Sequence, residues 1–133
     1  MKYILDTDIC IFALKQRKGV LKRLLQESPD DIAISAMTEA ELIFGAVKSS
    51  DPERAKSQVS AFLDPMMILP FDSEGAKKHA KIRYLLRNSP IGERDMVIAA
   101  VAAANELILV THNTREFSRI DGLVLEDWVR EEH

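Results

Sequence analysis

Tyr3-Ile4-Leu5-Asp6-Thr7-Asp8-Ile9-Cys10 is a short apolar run that breaks on two acids flanking a hydroxyl, after which apolar residues resume at Ile9, Ile11 and Phe12. Residues 2–6 read as a first strand. Ile9, Ile11, Phe12 and Leu14 suit a helix that follows at once and that Gly19 would end. Asp6, at the junction, admits three readings. It is a metal ligand, a phosphoryl-accepting nucleophile, or the cap of the next helix.

The rest of the chain repeats this alternation. Val20, Leu21, Leu24 and Leu25 have helical spacing, and residues 31–35 (Asp-Ile-Ala-Ile-Ser) form a second short strand. Residues 38–48 predict a helix with Leu42, Ile43, Ala46 and Val47 on one apolar face. Asp51-Pro52 opens another helix, with proline in its first turn. Met66 to Leu69 is a third strand, fenced by Pro65 and Pro70, and Asp72 or Ser73 starts a helix that runs to about Arg87. After the loop Asn88-Ser89-Pro90-Ile91-Gly92 comes an alanine-rich helix, residues 94–105, apolar nearly all round and therefore buried. Leu107 to Thr111 (Leu-Ile-Leu-Val-Thr) is the continuous apolar kind of strand found inside parallel sheets. A short fifth strand is expected near Leu123 to Leu125. The expected architecture is α/β: a three-layer α/β/α sandwich around a mainly parallel sheet of four or five strands, in a single domain spanning residues 1–133.

Composition narrows the function. The 133 residues, 47% hydrophobic and 29% charged, suit one soluble core. No apolar run approaches the roughly 20 residues that cross a bilayer. The N-terminal run meets Asp6 too early for a secretory signal, so a cytoplasmic location is expected. A single Cys10 inside an apolar run predicts a buried, inert thiol. His79, His112 and His133 are scattered without zinc-like spacing. The formal net charge of −3 argues weakly against a nucleic-acid partner. Its distribution argues the other way. Lys77, Lys78, Lys81, Arg83, Arg87 and Arg94 face only Glu93, while the tail carries Asp121, Glu126, Asp127, Glu131 and Glu132 against Arg130. The basic segment is either a solvated helix face or a surface for a phosphate backbone.

In open parallel sheets ligands bind beyond the carboxyl ends of the strands. Asp6 ends strand one, Glu41 lies just past strand two, Asp95 opens the buried alanine-rich helix, and Asn113 and Thr114 follow strand four. Each acid has a bland alternative. Asp6 or Asp8 caps a helix. Thr38-Glu39-Ala40-Glu41 fits a capping box in which Glu41 only returns a hydrogen bond to the Thr38 backbone. Asp95 caps its own helix. Caps alone do not explain an acid against a segment as apolar as Met96 to Ala100, where an unpaired carboxylate is costly. Three carboxylates brought together repel, and a divalent cation relieves that repulsion. Hard oxygen ligands select Mg²⁺ or Mn²⁺, ions that orient a phosphodiester and activate water without a protein nucleophile.

Four blocks carry a family resemblance: Ile4 to Phe12 (ILDTDICIF), Ile34 to Ala46 (ISAMTEAELIFGA), Pro90 to Ala100 (PIGERDMVIAA) and Leu109 to Trp128 (LVTHNTREFSRIDGLVLEDW). In this order, in a chain this short, they resemble the VapC-type toxin ribonucleases of the PIN-domain family. The resemblance implies a metal-dependent endoribonuclease, the toxin of a type II toxin–antitoxin system, silenced by a VapB-type antitoxin. It implies catalytic acids at Asp6, Glu41 and Asp95, with Asp6 and Asp95 holding Mg²⁺ or Mn²⁺, and Thr7, Asn113 and Glu116 positioning ion or substrate. Many relatives carry a fourth acid where this chain has Asn113, which puts a second tightly held metal in doubt. The subgroup often has Asn at Asp8. The Asn-Thr-Arg-Glu-Phe block is similar to toxins that cut initiator tRNA in the anticodon loop, leaving a 5′-phosphate and a 3′-hydroxyl. Lys77, Lys81, Arg83, Arg87, Arg94 and Arg115, with Lys15 and Arg17, are candidates for RNA-phosphate contacts. A homodimer is implied as well. An antitoxin arginine suits an empty acidic cluster. An antitoxin helix suits a groove among Ile9, Phe12, Leu21, Leu24, Leu42 and Phe44, if these are not simply core.

Three rivals remain. A haloacid-dehalogenase-like phosphatase would use Asp6 as nucleophile, Asp8 as acid and base, and Ser35 for phosphate, but it leaves Glu41 and Asp95 idle and finds no acid pair after Leu107 to Thr111. A receiver-like domain lacks its phosphorylatable Asp. A catalytically silent binding module of the same fold keeps the acids without using them.

Overall fold

The computed structural model describes residues 1–131, so Glu132 of the acidic tail and His133 lie outside the described residues. Five parallel strands form one sheet in the order β3-β2-β1-β4-β5: β1 Tyr3–Leu5, β2 Ile32–Ser35, β3 Met67–Leu69, β4 Ile108–Val110 and β5 Leu125–Glu126. The expected parallel α/β/α sandwich is the observed one. Pairing runs Tyr3 to Ile32 on one side of β1 and Tyr3 to Ile108 on the other. Successive side chains of a strand point to opposite faces. Tyr3, Leu5, Ile32 and Ile34 therefore join one core, and Ile4, Ala33 and Leu109 join the second.

The first face is covered by α1 Thr7–Leu14, α2 Val20–Leu24, α3 Ala36–Val47 and α4 Pro52–Leu63. The second is covered by α5 Ser73–Leu85, α6 Glu93–Ala104 and the short α7 Thr114–Phe117. Helix α6 is buried from Ile98 through Ala102, as its alanine-rich sequence requires, because only small side chains let a helix pack this closely on a sheet from one side and on α5 from the other. Trp128 closes the first core edge-on to Tyr3 at 5.1 Å, with Arg23 stacked over its other surface at 4.5 Å.

Several expectations shift. Helix α1 stops at Leu14 rather than at Gly19, because Gln16, Lys18 and Gly19 all adopt positive φ. Gly19, at φ +70°, instead precedes α2, a conformation that glycine adopts at no steric cost. Helix α3 starts at Ala36, two residues before Thr38, and its cap is Ser35, whose hydroxyl accepts the Thr38 N–H at 3.1 Å. Its apolar face also splits: Leu42 and Ala46 are buried, whereas Ile43, Phe44 and Val47 are exposed. Of the residues suggested for a groove, Ile9, Leu24 and Leu42 are core. Strand β5 sits two residues later than expected, with Leu123 packed partly against the second core.

Candidate active site

The chain passes from β1 through β2 to β3, then returns to place β4 on the other side of β1. This reversal puts the topological switch point at the carboxyl ends of β1 and β4, where such sheets usually offer a crevice for a ligand. Asp6 follows β1 and Thr111 follows β4. The Asp6 N–H bonds to the Val110 carbonyl at 2.8 Å, which ties the two strand ends together.

Asp6 is only 4% exposed, and both of its oxygens are held. Oδ1 accepts the Thr7 N–H at 2.8 Å and Oδ2 accepts the Thr111 hydroxyl at 2.7 Å. The cap reading of Asp6 is thus correct for its Oδ1. It does not exhaust the residue, because a carboxylate offers about four lone-pair sites and these bonds use two. Burial, and then the nearby charge of Asp8, push the Asp6 carboxyl up to about 7, against the opposing pull of its two hydrogen bonds.

Glu41 projects from the second turn of α3. With Ser35 as the true cap, the capping-box reading of Glu41 fails. Its Oε1 instead accepts the Thr7 hydroxyl at 2.8 Å. Thr7 lies 3.1 Å from the Thr38 hydroxyl, which in turn meets that of Ser35, so three hydroxyls lead from the α3 cap to Glu41. Arg94 Nη1 stands 3.7 Å from Glu41 Oε2.

Asp95 is the third residue of α6 and does not cap it, since Gly92 holds the cap position without a side-chain bond. Among the described residues the Asp95 carboxylate has neither a hydrogen-bond partner nor an ion-pair partner. Burial raises it to about 6, with the charges of Asp6, Glu41 and Glu116 adding to the shift. Asp6, Glu41 and Glu116 are thus near enough for their charges to act on Asp95. Asn113 donates its N–H to the Thr111 hydroxyl at 2.9 Å, and Glu116 is paired with Arg119 at 3.0 Å. Arg119 also donates to the Ser89 carbonyl, tying α7 to the loop before α6.

The donor set is carboxylate oxygen throughout, which suits a hard divalent cation. Among the described residues no three His, Cys, Asp or Glu side chains form a ready-made cage. Mg²⁺ does not need one, because it keeps several waters and takes one or two carboxylates. An electron-rich, desolvated crevice with one wholly unpaired acid fits that ion.

The basic candidates are not gathered into one surface. Lys77 pairs with Glu74 at 3.0 Å. Lys78 and Lys81 line a cavity with Glu106 and Asp121 beside the C-terminal end of α6, the far end of that helix from Asp95. Arg83 and Arg87 line a separate groove against the N-terminal part of α6, with Pro90 and Met96. Arg87 lies 4.0 Å over the Tyr84 ring. Arg94 is on the crevice itself, and Arg115 is exposed on α7. Cys10 is fully buried, and burial drives its thiol well above the usual range.

Two residues escaped sequence reading. Thr111 and Thr38 are fully buried hydroxyls that fix Asp6 and Thr7. A polar residue closing an all-apolar strand, as Thr111 closes Leu107 to Val110, is the signal that marked the first. The second was obscured by its apparent fitness as a cap.

Residues 3–123 match the PIN domain family. The chain is 38% identical over 130 residues to the tRNA(fMet)-specific endonuclease VapC of Shigella flexneri, covering 96% of this chain and 98% of that one. The chain belongs to the PIN-domain family, in its VapC branch. Among solved structures, this PIN domain resembles the DNA-bound VapBC of Salmonella typhimurium with a TM-score of 0.90 and 37% identity, covering 96% of this chain and 98% of that one. It resembles VapBC2 from Rickettsia felis, bound to a promoter DNA fragment, with a TM-score of 0.89 and 35% identity over 96% and 99% of the two chains. The phosphatase rival loses its parts as well. Ser35 is fully buried with its hydroxyl committed to the α3 cap, and the Asp8 carboxylate accepts the N–H groups of Ile9 and His112.

Proposed function

We propose that this PIN domain is the toxin of a toxin–antitoxin pair, a divalent-metal-dependent endoribonuclease acting in the cytoplasm on tRNA(fMet). The observation that carries the reading is the convergence of Asp6, Glu41 and Asp95 on the carboxyl edge of β1 and β4, with Asp95 left without a partner among the described residues. Asp6 and Asp95 would hold Mg²⁺ or Mn²⁺. When bound, the ion supplies Lewis acidity that activates water and stabilises the charge developing on the phosphodiester. The chain's own residues set the geometry for that chemistry. The Thr7 N–H and the Thr111 hydroxyl fix the Asp6 plane. The Thr7 hydroxyl fixes Glu41, whose carboxylate would take a proton from the attacking water. Arg94, beside Glu41, and the exposed Arg115 of α7 would make phosphate contacts.

A VapB-type antitoxin is proposed as a partner on the strength of the VapBC complexes of its structural relatives, and a second copy of the chain on the family resemblance alone. Ile43, Phe44 and Val47 on α3 are apolar surface that such contacts would bury.

The test uses antitoxin-free protein and purified tRNA(fMet) beside total tRNA, with Mg²⁺, Mn²⁺ or EDTA. Wild type, Asp6→Asn, Glu41→Gln and Asp95→Asn run together. Discrete cleavage that needs both the ion and each acid is expected. Full activity in all three folded variants would sink the assignment of these acids.

A further inference from the structure

His112 lies beside the residues that hold Asp6 and is not one of the acids of the candidate site. It is one residue past Thr111, and its N–H donates to Asp8 Oδ2 at 3.2 Å. Its ring is fixed in two further ways. Nδ1 is 2.9 Å from Asp127 Oδ2, and the ring stands edge-on to Phe12 at 6.1 Å and 82°. Asp127 follows β5 and is itself held, since its Oδ1 accepts the Val129 N–H at 2.9 Å. The His112 side chain is nevertheless 52% exposed. Among the described residues nothing meets Nε2.

An exposed pair of this kind returns little stability. Fixing a half-exposed ring on three sides is instead what pre-organises a contact for a ligand. The hydrogen bond at one ring nitrogen sets the role of the other. The tautomer that donates Nδ1–H to the Asp127 carboxylate leaves on Nε2 a lone pair that faces solvent. Beside Asp8 and Asp127, a lone pair suits a hydroxyl donor better than a phosphate oxygen. The ribose 2′-hydroxyl is the donor that distinguishes RNA from DNA along a strand.

We propose that His112, oriented by Asp127 and Phe12, is a positioning residue that accepts a hydrogen bond from a ribose 2′-hydroxyl of the substrate next to the acid crevice. The inference rests on the ribonuclease reading and adds a strand contact to it. Asn and Gln separate this role from a purely structural one. The Asn amide reaches about where Nδ1 lies and preserves the link to Asp127 without an outward acceptor. The Gln amide reaches about where Nε2 lies and supplies the acceptor without the link.

The experiment measures cleavage kinetics on purified tRNA(fMet), and equilibrium binding of an anticodon stem-loop in RNA and all-DNA forms, for wild type, His112→Ala, His112→Asn and His112→Gln. Thermal midpoints are taken in parallel. His112→Ala and His112→Asn are expected to raise KM about three- to tenfold with kcat within about twofold, the size of one lost hydrogen bond. Both should lose a matching part of the preference for RNA over DNA, and His112→Gln should restore part of each. A structural link predicts the reverse: His112→Asn behaves as wild type, while His112→Gln follows His112→Ala and loses thermal stability. That result overturns the proposal. Unchanged RNA parameters with weakened capture of a VapB-type antitoxin also overturn it, in favour of a protein contact. Wild type that binds RNA through His112 without cutting it removes the nuclease reading and leaves this contact standing. Wild type that neither binds nor cuts removes both.

Discussion

Replacing Asp95 by Asn should make the metal-free protein more stable while abolishing its activity. Burial and three neighbouring acids raise the Asp95 carboxyl from 3.8 to about 6. At about 1.4 kcal/mol per pKa unit this corresponds to roughly 3 kcal/mol of penalty on the charged form. Asp95 is only half-buried, and water screens much of that. The first turn of α6 also favours an acid by about 0.3–1 kcal/mol, a benefit that Asn partly loses. A net gain of about 1 kcal/mol is expected, or about 3–5 °C in thermal midpoint for a domain of this size. The sign depends on pH in a definite way. Below about pH 4 the carboxyl is protonated in both folded and unfolded chains, and the charge contributes no difference between the proteins. As pH rises towards 6 the unfolded chain ionises while the folded one resists, so wild type loses stability relative to Asp95→Asn. Above about pH 6 the gap is complete. Added Mg²⁺ should narrow or reverse it, because the ion stabilises the protein that binds it. Thermal and urea melts from pH 4 to 8, in EDTA and in Mg²⁺, measure all of this. A variant no more stable than wild type at pH 8 in EDTA, or a gap that does not change with pH, refutes the electrostatic account of the crevice.

Thr111→Val leaves Asp6 Oδ2 and the Asn113 N–H without their shared partner, and should cost about 1–3 kcal/mol by urea denaturation. The cost should be greater at pH 8 than at pH 5, because the lost bond favours the anion. Thr7→Val keeps the Asp6 contact, which uses the backbone N–H, but frees Glu41. The turnover rate on tRNA should fall about tenfold or more with stability reduced by about 1 kcal/mol, and an unchanged rate would show that Glu41 needs no tether. With Asp6 raised to about 7 and Asp95 to about 6, cleavage at subsaturating Mg²⁺ should increase as pH rises through this range. Saturating Mg²⁺ should shift the midpoint to lower pH, since the ion competes with the proton; a pH-rate profile at two ion concentrations checks it.

The layer architecture was legible because hydrophobic period and length gave each element its type. Leu107 to Val110 cannot be an exposed strand, and Met96 to Ala102 cannot be an exposed helix. Boundaries were less legible where backbone conformation outweighed composition. Lys18 and Gln16 enter the left-handed region although neither is glycine, so α1 ends earlier than its apolar pattern suggests. The α3 cap was misplaced because Ser35 and Thr38 are both good caps, and only the register of β2 chooses between them. Charge was the poorest guide. Lys77, Lys81, Arg83 and Arg87 are close in sequence, but Lys77 pairs with Glu74, Lys81 lines one cavity, and Arg83 and Arg87 line another, which no count of cations foretells.

The site teaches something different about its acids. The cap and ligand readings of Asp6 are compatible in the folded chain, because the cap contact leaves lone pairs of the carboxylate unused. Capping takes one lone pair of Oδ1 and fixes the plane of the carboxylate, which is what a ligand needs beforehand. Thr111 completes the constraint from the neighbouring strand. The same does not hold for Asp95, which neither caps nor pairs. Burial and like charges raise its pKa, and beyond the modest dipole benefit at the first turn of α6 it gives the fold nothing that Asn would not give at lower cost. We propose that its presence answers to what binds there and not to what folds there, and this asymmetry between Asp6 and Asp95 is why the stability of Asp95→Asn, measured without metal, tests the electrostatic half of that proposal while cleavage tests the other.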